Sequence, residues 1–120
     1  MKSKLPDTVK ISGHTYRVVN SWNETTRKLF KKDPSKSYAT EGETDHHGQI
    51  IYIYPDVPHL EAKLQILIHE ILHCIDYHTA SNRLYNKPMD VELRIEILAS
   101  GIFQFFKDNP KLLCLMKLSK

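Results

Sequence analysis

The chain contains no apolar run approaching the roughly twenty residues of a membrane helix. Its first ten residues, "MKSKLPDTVK", are basic but lack the apolar stretch of a secretory leader. There are two cysteines, Cys74 and Cys114, too few for a disulfide framework. Charge of either sign is not in large excess, with a formal net charge of +3 over 120 residues. The densest basic run, "RKLFKK" at 27–32, reads as the solvated face of a short helix. A nucleic-acid surface would need a broader basic stripe. No internal repeat, low-complexity tract or long linker divides the chain. The expectation is one domain over 1–120, cytoplasmic, with reduced thiols and neither a membrane nor a nucleic acid as partner.

What is present is a 41% apolar, 26% charged composition, ordinary for a globular domain with one core. "DTVKISGHTYRVVN" (7–20) alternates around Ser12-Gly13 and predicts a β-hairpin. Ser21, with Glu24 three residues on, reads as the capping box of a short helix ending at Asp33-Pro34. "SYATEGETD" (37–45) and "QIIYIYP" (49–55) read as strands joined by a turn at "HHGQ". From there the period changes. Leu60, Leu64, Leu67, Ile68, Ile71, Leu72 and Ile75 recur at three- and four-residue intervals, predicting an amphipathic helix over 59–79. After a loop at 80–88, Asp90 is a candidate cap for a second long helix. That helix spans about 90–107, with Val91, Ile95, Leu98, Ile102 and Phe105 along one stripe. "DNP" breaks it before a short terminal helix, and the aromatic run "GIFQFF" (101–106) is expected in the core. The order of elements predicts an α+β fold, a small and mostly antiparallel sheet packed on two long helices.

Within the first long helix lies "HEILH". Residues four apart lie one turn apart on one helix face, so His69 and His73 can direct their rings at one ion. Glu70 is rotated by about 100° from His69 and can reach a water beside that ion without being a ligand. Zinc takes about four ligands in a tetrahedral set and acidifies water, and a neighbouring carboxylate can take the proton and later deliver it to a leaving amine. This is the physical content of the H-E-x-x-H motif. With seven histidines in the chain, random order would produce the pattern at a rate of roughly 0.02. The competing reading is a half-buried helix that merely carries two histidines.

A third protein ligand has to come from another element. Glu92 and Glu96 sit one turn apart on the next helix. Antiparallel packing would bring them near His73, and the spacing of eighteen residues between His73 and Glu92 supports Glu92 as ligand. Glu96 would then orient a ligand histidine. The reverse assignment stays open, as does an ordinary acidic surface. Asp76 is a candidate hydrogen-bond partner behind the ligands or a surface residue. Tyr77, four past His73, could donate to an oxyanion or simply pack the helix end, and Tyr85 is a weaker candidate. His14, His46, His47, His59 and His78 read as solvated polar residues, and Cys74 as a small core residue.

"ILIHEILHCIDY" followed by "VELRIEILASGIFQFFKDNP" resembles the small gluzincin-type metallopeptidases, above all the short zincin-like proteins of phages and prophages. These are related in outline to the ImmA/IrrE group. "GETDHHGQIIYI" is similar to the β-hairpin that leads into the active-site helix there, and the likeness covers roughly residues 38 to 110. It implies a zincin-like fold, Zn2+ held by His69, His73 and a glutamate of the Glu92/Glu96 helix, and Glu70 as catalytic base. It also implies a peptide or protein substrate laid as a strand against "IIYIY", in the cytoplasm of a bacterial host if the protein is phage-encoded. "FKDNP" departs from the turn usual in the ImmA-like proteins, so cleavage of a phage repressor does not carry over. The expectation is a zinc metallopeptidase. The alternative is a non-catalytic zincin-fold module that keeps its metal for stability or partner binding, although a structural zinc site needs no base.

Overall fold

The computed structural model describes residues 4–30, 41–79 and 91–118, without the side chains of 91–95 and 118. Strands Thr8–Ile11 (β1) and His14–Val19 (β2) form the expected first hairpin. Its turn takes positive φ at both central residues, 50° at Ser12 and 83° at Gly13. That conformation matches the twist of the flanking strands and is tolerated by glycine without strain. Alternation then sends Val9, Ile11 and Tyr16 into the core.

The short helix Glu24–Leu29 (α1) is capped by Asn23, not by Ser21 as expected. The Asn23 side chain accepts from the Thr26 amide at 2.9 Å, and Thr26 Oγ1 accepts from the Asn23 amide at 2.7 Å. Asparagine caps as well as serine does, and this register buries Thr26, whose hydroxyl also donates to the Ser21 carbonyl. The expected helix end at Asp33-Pro34 and the first part of the strand expected over 37–45 lie outside the described residues.

Gly42–Asp45 (β3) and Ile50–Ile53 (β4) form the second hairpin. The sheet order is β1-β2-β4-β3. Each hairpin is antiparallel, but β2 and β4 pair in parallel, with Val18 opposite Ile51. The sheet is therefore mixed: between the parallel strands β2 and β4 the chain passes through α1 and β3, more than the dozen residues that a parallel crossover needs. One expectation falls with this order. β4 has neighbours on both sides, so "IIYIY" has no free edge for a substrate strand. On that side of the sheet the edge strand is β3.

Helix Leu60–His78 (α2) covers the sheet with Leu64, Leu67, Ile71, Cys74 and Ile75, all buried. Each large aliphatic side chain so buried contributes about 1.5–3 kcal/mol. Leu72, part of the apolar series, is instead 40% exposed beside His73. Helix Val91–Asp108 (α3) adds Leu98, Ile102 and Phe105 to the core. Gly101 lets it approach α2 closely, since a Cβ there would lie 2.5 Å from Ile75 Cγ2. The aromatic run divides: Phe105 is buried, whereas Phe103 is 67% exposed. Asn109 separates α3 from helix Pro110–Leu118 (α4), whose Leu112 joins the same buried core. Among the described residues no helix is long and apolar enough to cross a membrane.

Candidate metal centre

The amphipathic period of α2 decides how the motif is presented. With Leu67, Ile71 and Ile75 turned to the sheet, His69 and His73 face solvent, and Glu70 turns inward beneath β3. The two Nε2 atoms lie 3.2 Å apart, with ring planes at 76°. Two nitrogens on a tetrahedral zinc would be separated by about 3.3 Å, so the pair already spans one edge of such a polyhedron. A ring nitrogen pair this close needs either a shared proton or a cation between the lone pairs. Ligand atoms of His69, Glu70 and His73 all fall within 4.8 Å of one another. On this geometry the donor set fits a divalent ion.

Glu70 is only 7% exposed, and its Oε1 accepts from Thr44 Oγ1 at 2.7 Å. A Cβ added at Gly42 would lie 3.1 Å from Glu70 Oε2 and 2.8 Å from Ile66 Cγ2, so only a glycine leaves room here for this carboxylate. Beside it runs an open trough of about 400 Å³, between Gly42 on β3 and Ala62, Gln65 and Ile66 on α2, lined also by His69 and Glu70. The outer edge of β3, unpaired among the described strands, borders the same region.

The third ligand is not brought to the pair among the described residues. Glu96 is exposed and outside the cluster of His69, Glu70 and His73, and the Glu92 side chain lies outside the described residues. Tyr85 and the cap expected at Asp90 lie outside them as well. Tyr77 is 43% exposed, one turn past His73.

Sequence reasoning missed the ring of groups behind the motif. His46, read as a solvated turn residue, stacks on Tyr77 at 4.1 Å with planes 1° apart. Its Nδ1 is 3.3 Å from the Tyr16 hydroxyl, which also meets His78 Nε2 at 2.7 Å. The His78 ring stacks on His14 at 4.1 Å. Burial, then the electrostatic influence of His73, hold the His46 pKa below its ordinary value, while Glu70 and Asp45 pull the other way. Burial likewise raises the phenol of Tyr16 above its usual range and pushes the Cys74 thiol up to about 12. Cys74 is thus the core residue expected, fully buried behind the motif. His14, His46 and His78 lie on three separate elements, and no spacing in the chain announces their meeting. Thr44 was more accessible: in "GETD" the strand period places it on the same face as Gly42. Compared with known proteins, the chain matches no family model, no curated protein and no solved structure.

Proposed function

We propose that the chain is a zinc-dependent metallopeptidase with a zincin-like arrangement, working on an extended peptide or protein segment. The observation that carries the reading is the division of labour on α2. Two imidazoles converge at 3.2 Å on the solvent side, and one buried carboxylate stands beside them on the inner side. A structural site has no use for such a carboxylate, whereas hydrolysis requires a base.

His69 and His73 would hold the ion, with Glu92 or Glu96 as third ligand from α3. Bound there, zinc would supply a Lewis acid that acidifies water and polarises a carbonyl. Glu70 takes the proton of the attacking water, and the same carboxylic acid then hands it to the departing amine. Tyr77 supplies a hydroxyl on the metal face, suited to an oxyanion. The substrate main chain lies along the open edge of β3, the strand that also borders Glu70, and pairs with it as an added strand. The two free cysteines, Cys74 and Cys114, accord with a reducing cytoplasm.

The test is metal content followed by hydrolysis of a mixed peptide library. Purified protein carries about one zinc per chain, which His69→Ala and His73→Ala remove. Glu70→Gln keeps the zinc and lowers cleavage about a hundred- to ten-thousandfold. Wild-type protein that takes up no metal on reconstitution would overturn the reading.

A further inference from the structure

We propose that Thr44 is a positioning residue for Glu70, and that β3 therefore sets the base and the substrate on one strand. The inference rests on the peptidase reading above and adds the residue that aims its base.

A glutamate has three rotatable bonds, and freezing them costs up to about 2 kcal/mol. Burial alone does not choose the orientation of the carboxylate plane. The Thr44 hydroxyl does so. Its single proton goes to Glu70 Oε1 at 2.7 Å. With Oε1 occupied, Oε2 remains for proton transfer. That oxygen stands where a side chain at Gly42 would crowd it, and Gly42, His69 and Glu70 line the same trough. Thr44 and Gly42 stand two residues apart on the same face of the strand, so one short strand bonds the first oxygen and leaves room for the second.

Among the described strands β3 also stands at the edge. A substrate paired to its outer edge is registered to the same backbone that carries Thr44. Base and scissile bond thus share one reference frame, the pre-organisation that separates a near-attack geometry from mere proximity. The Thr44 hydroxyl makes no contact with the substrate in this scheme. Its loss consequently appears in turnover rather than in substrate affinity.

Three variants test this in zinc-loaded protein against one cleaved peptide. Thr44→Val keeps a β-branched side chain of nearly equal volume, suited to the strand, and removes only the donor. We expect kcat to fall about ten- to hundredfold, with KM and zinc content unchanged. Thr44→Ser, which restores the hydroxyl, recovers most of the rate. In the Glu70→Gln background, Thr44→Val costs nothing further, because a residue acting through Glu70 has no effect once Glu70 is gone. Wild-type kcat in Thr44→Val, failure of serine to rescue, or independent losses in the double variant would each overturn the assignment while leaving the peptidase intact. A zinc-loaded wild type that cleaves no peptide overturns the peptidase reading and this inference with it. If Thr44→Val does not fold, Thr44→Ala, which also lacks the donor, takes its place alone and in the Glu70→Gln double.

Discussion

Asn109 pairs its side-chain amide with both peptide groups of Lys10, accepting from the amide at 2.9 Å and donating to the carbonyl at 2.8 Å. It imitates a strand partner on the outer edge of β1, the far edge of the sheet from β3. The same Nδ2 donates to the Phe105 carbonyl at 2.7 Å, closing the end of α3. In the chain, "DNP" reads only as a helix break, yet it fastens the helical layer to the sheet. Asn109→Ala should lower stability by about 1–3 kcal/mol, read from urea unfolding. A change below roughly 0.5 kcal/mol would mean that water replaces all three bonds without loss.

Gly42 is required by space and not by backbone conformation, because its φ is not positive. In Gly42→Ala the new methyl meets Ile66 Cγ2 at 2.8 Å and Glu70 Oε2 at 3.1 Å. Overpacking of this kind costs about 1–3 kcal/mol. Zinc binding should survive, since His69 and His73 face away, while kcat falls by about tenfold or more as Glu70 is displaced. Full activity in this variant would show that β3 yields without moving the base.

Alkaline stability should report the buried pair Tyr16 and Cys74. Both keep their protons in the folded state where the unfolded chain has lost them, Cys74 up to about 12 and Tyr16 beyond its usual value. The folded state then binds more protons than the unfolded one, so stability declines as pH rises from about 9 towards 12. Unfolding midpoints measured across that range should fall more gently in Tyr16→Phe and in Cys74→Ala than in wild type. Identical slopes in all three proteins would contradict the burial of these protons.

The two glutamates of α3 separate by affinity. If Glu92 is the third ligand, Glu92→Gln weakens zinc more than Glu96→Gln does, the latter by the ten- to hundredfold typical of a residue orienting a ligand (about 1–3 kcal/mol). Competition with a chromogenic chelator gives both constants. The opposite order would exchange the two roles, and equal small losses would remove both from the site.

Several features could be read directly because they depend on local periodicity. The run from Leu60 to Ile75 repeats at the helical period, and α2 occupies Leu60–His78 as that predicts. On any helix, spacing of four brings His69 and His73 together, so their convergence needed no knowledge of the rest of the chain. The first hairpin was legible at Ser12-Gly13 for the same reason, since the turn needs positive φ at both positions. The cap of α1 was misread by two residues because Ser21 and Asn23 are comparable caps. The choice between them fell to the burial of Thr26, which is set by packing.

Strand order escaped the sequence for a different reason. "IIYIY" is rich in β-branched and aromatic residues, and that composition marks a strand without saying which strands lie beside it. The parallel pairing of β2 with β4 placed it inside the sheet and left polar "GETD" at the edge. Edge strands are commonly short and charged because unpaired backbone invites association, and β3 fits that description.

By itself the sequence determined the helix that carries His69, Glu70 and His73 and the faces they occupy, because a 3.6-residue period is a property of the local backbone. Tertiary structure alone decided what stands around them. Thr44 over Glu70, Gly42 against its second oxygen, and His46 stacked on Tyr77 are contacts between distant segments. They follow from sheet order and helix docking, which depend on the burial of the whole core and not on any short stretch of the chain.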